Sequence, residues 1–349
     1  MIIDHDKLRA FAQRILIAGG SHPEEAGQVA DHLVEANLRG HDSHGVGMLV
    51  AYCQSLAAGH LVPNQTPEIV QHSETIAVWD ARAGFGQRIA CEAMSWAIEA
   101  ARTHGLSMHG LRNAHHIGRV GAYGELAANA GMVSLHFVNV VSSAPLVAPH
   151  RAREGRFMTN PVCVAIPGTG ETTPIVLDFA TSRIALGKIR VAHNSGKEVV
   201  EGALLDSSGK PTTDPGAIYR DPPGVVLPFG EHKGSGLALI CEILAGAIVG
   251  SDMITTADPK GRGIINGMLT IVLDPSRLSR RDRIESDINV LVDWVKSAAA
   301  ADPDLPVLLA GEPENLARAD RLAHGIPIDD TTWIHICEAA EKLSVAVHV

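Results

Sequence analysis

Short β-rich segments that alternate with helical segments are the feature that most constrains the fold of this chain. From about residue 73 onwards, apolar runs bounded by glycine or proline are separated by segments with helical spacing. The predicted strands are TIAVWDA, GLSMHGL, VSLHFVNVV (133–141), VCVAIPG (162–168), TPIVLDFA (173–180) and LTIVLDP (269–275). The predicted helices are GQRIACEAMSWAIEAARTHG, VGAYGELAANAG and the very apolar GSGLALICEILAGAIVG. This alternation predicts an α/β fold, a sheet covered by helices, whose apolar stripes form the core.

Both ends of the chain have a helical pattern instead. Apolar residues recur at helical spacing from about residue 6 to residue 18, and again in SHPEEAGQVADHLVEANLRG. In that second segment Ser21 and Glu24 have the spacing of an N-terminal capping box, and Gly40 ends the helix. The C-terminal segment that begins GEPENLARADRL is also helical. We expect a helical lobe of residues 1–72, joined by residues 311–349, beside an α/β region of residues 73–310.

Composition limits the classes of function. The formal net charge is −10 and only 4% of the 349 residues are aromatic, which argues against a nucleic-acid partner. Five cysteines stand singly with no C-x-x-C pair, a pattern typical of a reduced, cytoplasmic protein. Asp4 and Asp6 precede the first apolar run, unlike a secretory signal, and Glu242 interrupts the longest apolar run. We therefore expect a cytoplasmic protein with no membrane partner.

Several common catalytic motifs are missing. No G-x-G-x-x-G occurs, because GTGETTP and GRGIING each lack the third glycine. The chain also has no P-loop, no H-E-x-x-H and no nucleophile elbow. The sequence thus does not support a standard Rossmann dinucleotide site, and any nicotinamide cofactor must be held differently.

Three polar turns rich in glycine and histidine are the candidate sites of chemistry. They are ANLRGHDSHGVGML (36–49), RNAHHIGRVGAYGE (112–125) and FGEHKGSGLAL (229–239). An imidazole titrates near neutrality and can exchange a hydroxyl proton. A guanidinium can hold a carboxylate bidentately, and a lysine or a backbone N–H can stabilise developing negative charge. These groups are what hydride transfer between a cofactor and a small oxo acid requires.

A metal site is the competing interpretation. His41 and His44 are three residues apart, and His116 could complete the ligand set of a metal-dependent hydrolase or lyase. Against it, no other Asp, Glu or Cys cluster has metal spacing, and the adjacent His115 and His116 cannot easily both point at one ion. A non-enzymatic binding module is less expected still.

Six ordered motifs resemble the malate/L-lactate dehydrogenase family that lacks a Rossmann fold. They are LRGHDSHGVGML, NAHHIGRVG, TNPVCVAIP, LDFATSRIALGK, EHKGSGLALICEILAGA and GEPENLARADRLAHGIPID. The resemblance implies that family's mixed sheet, with residues 73–310 binding cofactor and substrate. It also implies NAD or NADP as cofactor, a small 2-hydroxy or 2-oxo acid as substrate, and a homodimer. Reduction of a cyclic imine or a diketo sugar acid is the alternative within the family.

The resemblance also implies roles for individual residues. His44 and His116 match two histidines proposed as proton donor or acceptor in different members, with Ser43 beside the first. We expect His116 to be the principal acid/base, and His44 to polarise the substrate or carry a second proton. Asn160 of TNP matches a polar residue near the reacting centre. Cofactor contacts are implied for Val176, Leu177, Asp178, Phe179, Ala180, His232, Lys233, Gly234, Gly311, Glu312 and Pro313.

One position departs from the family pattern. Many relatives read S-H-G-V-x-R, with an arginine suited to a substrate carboxylate, whereas this chain has Met48 there. One branch, the bacterial hydroxycarboxylate dehydrogenases, also lacks that arginine and carries HHIGR. We expect Arg119 of that motif to bind the carboxylate, and Met48 to make the pocket more apolar, which would admit larger aliphatic or aromatic 2-oxo acids.

Overall fold

The computed structural model describes residues 1–141, 144–256 and 263–347. Its helices are α1 (His5–Ala18), α2 (Pro23–Leu38), α3 (Leu49–Ala57), α4 (Gly86–His104), α5 (Gly121–Asn129), α6 (Leu186–Asn194), α7 (His232–Glu242), α8 (Arg281–Lys296), α9 (Glu312–His324) and α10 (Asp330–Lys342). Its strands are β1 (Ile2–Ile3), β2 (Glu68–His72), β3 (Ile76–Asp80), β4 (Leu106–His115), β5 (Val133–Val141), β6 (Val162–Ile166), β7 (Ile175–Phe179), β8 (Leu204–Leu205), β9 (Pro211–Thr212), β10 (Val225–Val226), β11 (Ile265–Leu273) and β12 (Ile326–Pro327). Within these ranges, no helix is both long and apolar enough to cross a membrane.

A seven-stranded mixed sheet is the centre of the molecule, which confirms the predicted fold class. Its order is β2-β3-β4-β11-β5-β6-β7, with β3 parallel to β4 and every other pair antiparallel. Alternate residues of a strand face opposite sides. Val138 and Met268 pack with α4 and α5, whereas Asn139 and Gly267 pack against the π-helical turn after α7 (Ile243–Ile248). Helical segments therefore cover both faces of the sheet.

Helices from both ends of the chain share a second core. Apolar faces of α1, α2, α3 and α10 pack together, and the short strands β1 and β12 pair antiparallel. Phe11, Leu33 and Tyr52 from the N-terminal segment and Ile336 from the C-terminal one are completely buried in this cluster. A smaller cluster joins α6 to the three-stranded sheet β10-β8-β9. The candidate site lies where these parts meet.

The predicted capping box of α2 is wrong. The helix begins at Pro23, its N-cap residue is His22, and no side chain caps it. Proline suits the first helical position because its φ is already helical and it has no N–H to leave unpaired. The hydroxyl of Ser21 instead donates to Oε1 of the buried Glu25 (2.9 Å), so it is Glu25 rather than Glu24 that Ser21 contacts.

The prediction that every apolar stripe is core is wrong for α7 and the turn after it. Leu239, Ile240, Ile243 and Ile248 are 40–64% exposed, on the face opposite the sheet. Neither β2 nor α8 is predicted from the sequence. All five residues of β2 are exposed, so this strand has no buried face to mark it. In α8 the helical spacing of Ile284, Ile288, Leu291 and Val295 is a signal that sequence reasoning missed, although only Val292 is buried in this chain.

Candidate active site

Two histidines that are 72 residues apart in sequence are in direct contact. Nδ1 of His44 lies 3.3 Å from Nε2 of His116, and the two rings stack with centroids 5.3 Å apart and planes 5° apart. His116 directly follows β4. The N–H of the next residue, Ile117, donates to Oδ1 of Asn266 (3.0 Å) and so fixes this turn to β11. The structure therefore brings together the first two of the predicted polar turns.

The turn that carries His44 is fixed to two helices. Asp42 accepts a hydrogen bond from Nδ2 of Asn37 (2.6 Å) and pairs with both Nη atoms of Arg321 (2.6 and 3.0 Å). Oδ1 of Asn37 also accepts the Val46 N–H (2.8 Å). Because α2 and α9 both bind this turn, the imidazole of His44 is held in place before any ligand arrives.

A hydrogen-bonded chain orients the histidine pair. Nε2 of Gln87 donates to the hydroxyl of Tyr52 (2.5 Å), and the Tyr52 oxygen lies within hydrogen-bond distance of Nδ1 of His116 (2.7 Å). When Nδ1 of His116 donates to that oxygen, Nε2 of His116 accepts from the Nδ1–H of His44, and Nε2 of neutral His44 carries no proton. The hydrogen bond of the His44 ring in the described residues is made by Nδ1, and His44 lines a large cleft. Nε2 of His44 is therefore the nitrogen available to a ligand.

Enclosure keeps both imidazoles neutral. Desolvation, together with the nearby side chains of His41, Arg119 and Arg190, lowers the pKa of His44 to about 4. Desolvation also lowers the pKa of His116 well below its ordinary value, helped by His44 itself. An uncharged imidazole can accept the proton of a bound hydroxyl group, which is the first requirement of alcohol oxidation.

The cleft beside the histidines is large enough for a small molecule and a cofactor ring. Its volume is about 980 Å³, and its walls combine apolar side chains with a few polar ones. A second cavity of about 210 Å³ adjoins it, and Arg119, Asp178 and Glu314 line both. The two cavities are therefore neighbours, and together they are called the groove.

Many of the predicted site residues lie along this groove. Ser43, Met48, Phe179 and Ala180 line the large cleft, together with the histidine pair. Val176 and Gly311 line the small cavity. Asp178 lies between them and accepts the Gly121 N–H (2.7 Å), which fixes the start of α5.

Other predicted residues lie outside the groove in this single chain. His232 and Lys233 are exposed at the start of α7, where Gly234 packs against the backbone of Phe229, and Leu177 is also exposed. None of these residues lines either cavity. Their roles in cofactor binding stay predictions.

Asn160 and Glu312 also point elsewhere. Asn160 is completely buried and donates to Oε2 of Glu242 (2.9 Å). Glu312 pairs with Lys296 (2.5 Å) and accepts the Leu309 N–H (2.8 Å). Neither Glu312 nor the following Pro313 lines a cavity, so the implied contacts of these three residues stay untested.

Arg119 is not the free cation that the sequence suggests. It is 2% exposed, and its Nη2 donates to Oε2 of Glu125 (2.7 Å). Its backbone N–H donates to Nε2 of His32 (3.0 Å). The charge of Arg119 is therefore already balanced, although the residue lines the groove and its predicted contact with a carboxylate stays open.

Sequence reasoning missed Tyr52, Gln87 and Arg190. Tyr52 and Gln87 lie on helices among apolar residues, where the pattern predicts only core. The available signal is chemical, because a buried tyrosine hydroxyl needs a hydrogen-bond partner. The metal alternative gains no support: within 1–141, 144–256 and 263–347, no three His, Cys, Asp or Glu side chains are grouped to hold an ion.

Replacing Gly187 with alanine is expected to disturb the site. A Cβ on Gly187 would lie 2.0 Å from the Cβ of Ser43, so α6 or the histidine-bearing turn must shift. We expect a loss of about 1–3 kcal/mol in the free energy of unfolding and a fall of about tenfold or more in turnover. Urea unfolding and steady-state kinetics measure the two effects. Gly170→Ala, at an exposed position where a Cβ meets no atom within 4 Å, controls for the loss of a glycine, and equal turnover in the two variants would contradict this prediction.

Comparison with known proteins agrees with this geometry. The family model described as malate/L-lactate dehydrogenase matches residues 3–337. The chain is 43% identical over 344 residues to hydroxycarboxylate dehydrogenase B of Escherichia coli (strain K12), covering 98% of this chain and 94% of that protein. It is 36% identical to an L-lactate dehydrogenase of Cupriavidus necator, covering 99% of each.

A solved structure of the same kind superposes closely. Sulfolactate dehydrogenase from Methanocaldococcus jannaschii aligns with a TM-score of 0.86 and 33% identity, covering 99% of this chain and 98% of that one. These matches extend over nearly the full length of the chain and include all six motifs. The chain belongs to the malate/L-lactate dehydrogenase family.

Proposed function

We propose that the protein is an NAD(P)-dependent oxidoreductase that interconverts a 2-hydroxy acid and a 2-oxo acid. The observation that carries the proposal is the contact between His44 and His116 at the wall of the groove. Relatives named as hydroxycarboxylate, lactate and sulfolactate dehydrogenases support the substrate class.

The groove fits a nicotinamide dinucleotide. The large cleft and the small cavity are neighbours that share Arg119, Asp178 and Glu314, which supports a ligand with one end in each. Gly311 has φ +92°, and a Cβ there would lie 3.2 Å from the backbone nitrogen of Val176 at the wall of the small cavity. Phe179 and Ala180 would hold the nicotinamide end beside the histidines, and Val176 and Gly311 the other end. When bound, the nicotinamide supplies or accepts the hydride.

His44 is the residue we assign to the substrate oxygen. Both ring nitrogens of His116 are occupied within the protein, by Tyr52 and by His44, whereas Nε2 of His44 is available. In oxidation, the hydroxyl proton passes to the imidazole of His44, and His116 orients that ring. In reduction, a proton returns to the oxygen by the same path. This order of roles is the reverse of the one expected from sequence.

The absorbance of reduced nicotinamide tests the proposed function. Purified protein is mixed with NADH or NADPH in parallel and with a panel of small, aliphatic and aromatic 2-oxo acids. We expect absorbance to be lost with at least one acid and regained when the matching 2-hydroxy acid is supplied with the oxidised cofactor. No change with any pair, or activity that needs a metal ion and no nicotinamide, would contradict the proposal.

The two directions are expected to respond differently to pH. Because the pKa of His44 is about 4 in the free protein, its imidazole is neutral throughout pH 6–8.5. Oxidation uses the neutral form, so its kcat/KM should be level across this range. Reduction consumes a proton on the imidazole, so its kcat/KM should fall about tenfold for each pH unit above 6. A fall in the kcat/KM of oxidation as the pH decreases from 8.5 to 6 would contradict the assignment, because the base would then titrate inside this range.

We place the enzyme in the cytoplasm as a homodimer. The exposed apolar stripe of Leu239, Ile240, Ile243 and Ile248 supports an interface with a second copy, because contiguous apolar surface of this kind is typical of protein contacts. All five cysteines are free, which fits a reducing compartment. Sedimentation of the purified chain at twice the mass of 36.9 kDa would support the dimer, and sedimentation at that mass alone would contradict it.

A further inference from the structure

We propose that Arg190, and not Arg119, binds the carboxylate of the substrate. This inference rests on the proposed function, which supplies the class of ligand, a 2-hydroxy or 2-oxo acid. It identifies an anion subsite beside His44, built by α6, that the sequence motifs do not indicate.

The position of Arg190 follows from the packing of α6. Gly187 lies directly against Ser43, and Arg190, three residues later, lies on the same face of the helix. Nη2 of Arg190 lies 3.1 Å from the point where a Cβ of Gly47 would be. The guanidinium therefore lies beside the segment that follows His44 and lines the same cleft.

Among the described residues, the guanidinium of Arg190 has no hydrogen-bond or ion-pair partner. Its Nε is inaccessible to water and makes no hydrogen bond there. A partly buried guanidinium whose inaccessible Nε–H has no acceptor costs free energy that a bound anion can recover. A guanidinium is also shaped to hold a carboxylate with two parallel hydrogen bonds.

The charges of the cleft favour the same assignment. Its two carboxylates are already engaged, since Asp178 accepts the Gly121 N–H near Arg119 and Glu314 pairs with His41 (3.2 Å). Arg119 is balanced by Glu125. Arg183 and Lys188 also line the cleft but are exposed to solvent. Arg190 is thus the partly buried, unpaired cation on the histidine side.

The position also accounts for Met48. Many family members carry an arginine where this chain has Met48, and that residue directly follows Gly47. The guanidinium of Arg190 reaches the same segment from α6. One cation beside the reacting imidazole is therefore kept, although it comes from a different element.

Binding of oxamate, an unreactive analogue of a 2-oxo acid, tests the inference. Isothermal titration calorimetry measures the Kd of oxamate for the protein saturated with NADH, or with NADPH if that cofactor binds more tightly. We expect Arg190→Gln to raise the Kd of oxamate about 10- to 100-fold. Arg190→Lys should raise it less, because lysine keeps the positive charge but cannot form two parallel hydrogen bonds to a carboxylate. Arg183→Gln, at the exposed wall, and Arg280→Gln, on the surface, should change this Kd less than about threefold.

Unfolding of the same variants separates binding from structure. Because Arg190 has no partner among the described residues, Arg190→Gln should melt at the wild-type temperature or above it. An unfolded Arg190→Gln protein, an oxamate Kd unchanged in that variant, or a wild-type protein that does not bind oxamate would each overturn the inference. The proposed function fails separately, if oxamate binds through Arg190 and yet no 2-oxo acid is reduced.

Discussion

Replacing His44 with glutamine is expected to lower kcat for oxidation of the preferred 2-hydroxy acid by about 10²- to 10⁴-fold, the usual contribution of a general base. Glutamine keeps much of the volume and a polar end but cannot accept the hydroxyl proton. Its effect on KM should be small, because the inferred carboxylate subsite at Arg190 is left intact. Steady-state oxidation kinetics with saturating cofactor measure this loss.

The variant His116→Gln is expected to lose less. His116 acts on the substrate through His44, so its removal disturbs the tautomer and the orientation of that ring without removing the base itself. His324→Gln, at a largely exposed position, is the matched control and should keep wild-type kcat. If His116→Gln abolishes turnover while His44→Gln retains it, the order expected from sequence is correct and the order proposed from the hydrogen bonds is wrong.

The second large effect is a loss of stability in mild acid. Four histidines, His109, His115, His116 and His136, are at most 7% exposed. Burial lowers the pKa of His109 and His136 to about 3 and that of His115 to about 4. In the unfolded chain each of them titrates near its ordinary pKa of ~6.5.

The sign of the effect follows from proton binding. Between pH 6.5 and 4 the unfolded chain binds protons that the folded protein excludes, so stability falls as the pH falls. Each such histidine contributes up to about 1.4 kcal/mol per pH unit. We therefore expect these four histidines alone to lower the free energy of unfolding by about 5 kcal/mol between pH 7.5 and 5.5, a large part of a typical total. Urea titrations at several pH values measure this loss.

A single variant isolates one contribution to this slope. Both ring nitrogens of His109 lack partners, and its ring packs edge-on against Trp79 with centroids 5.0 Å apart. His109→Phe keeps an aromatic ring and removes the titration, so it should stabilise the protein below pH 6.5 and reduce the slope by about 1 kcal/mol per pH unit. His324→Gln should leave the slope unchanged. Equal stability of the wild-type protein at pH 7.5 and 5.5 would contradict the whole explanation.

The strands of the sheet could be predicted largely from the sequence, but their order could not. Each of the six predicted strands exists, because β-rich runs between glycines and prolines are a local signal. The place of β11 between β4 and β5 depends on pairing across more than a hundred residues. Local patterns do not encode such pairing, so only the general statement of a covered sheet followed from them.

The candidate site, too, could be predicted from the sequence only in part. The polar turns around His44 and His116 stand out in the sequence because imidazoles and glycines are concentrated there. Their contact at 3.3 Å depends on how α2, α9 and β4 pack, which no spacing indicates. Tyr52 and Arg190 lie in ordinary helical segments of the sequence. Tyr52 matters because its hydroxyl contacts His116, and Arg190 matters because its guanidinium has no partner in the described residues. The exposed face of α7 shows that hydropathy does not distinguish core from an external apolar surface.

The most direct test of the central claim is the position of a 2-oxo acid analogue relative to the two imidazoles. A crystal structure of the protein with reduced cofactor and oxamate gives that distance. We predict the carbonyl oxygen of oxamate within hydrogen-bond distance of Nε2 of His44, about 2.6–3.2 Å, and its carboxylate on Arg190. Oxamate bound out of reach of both His44 and His116 would contradict the account.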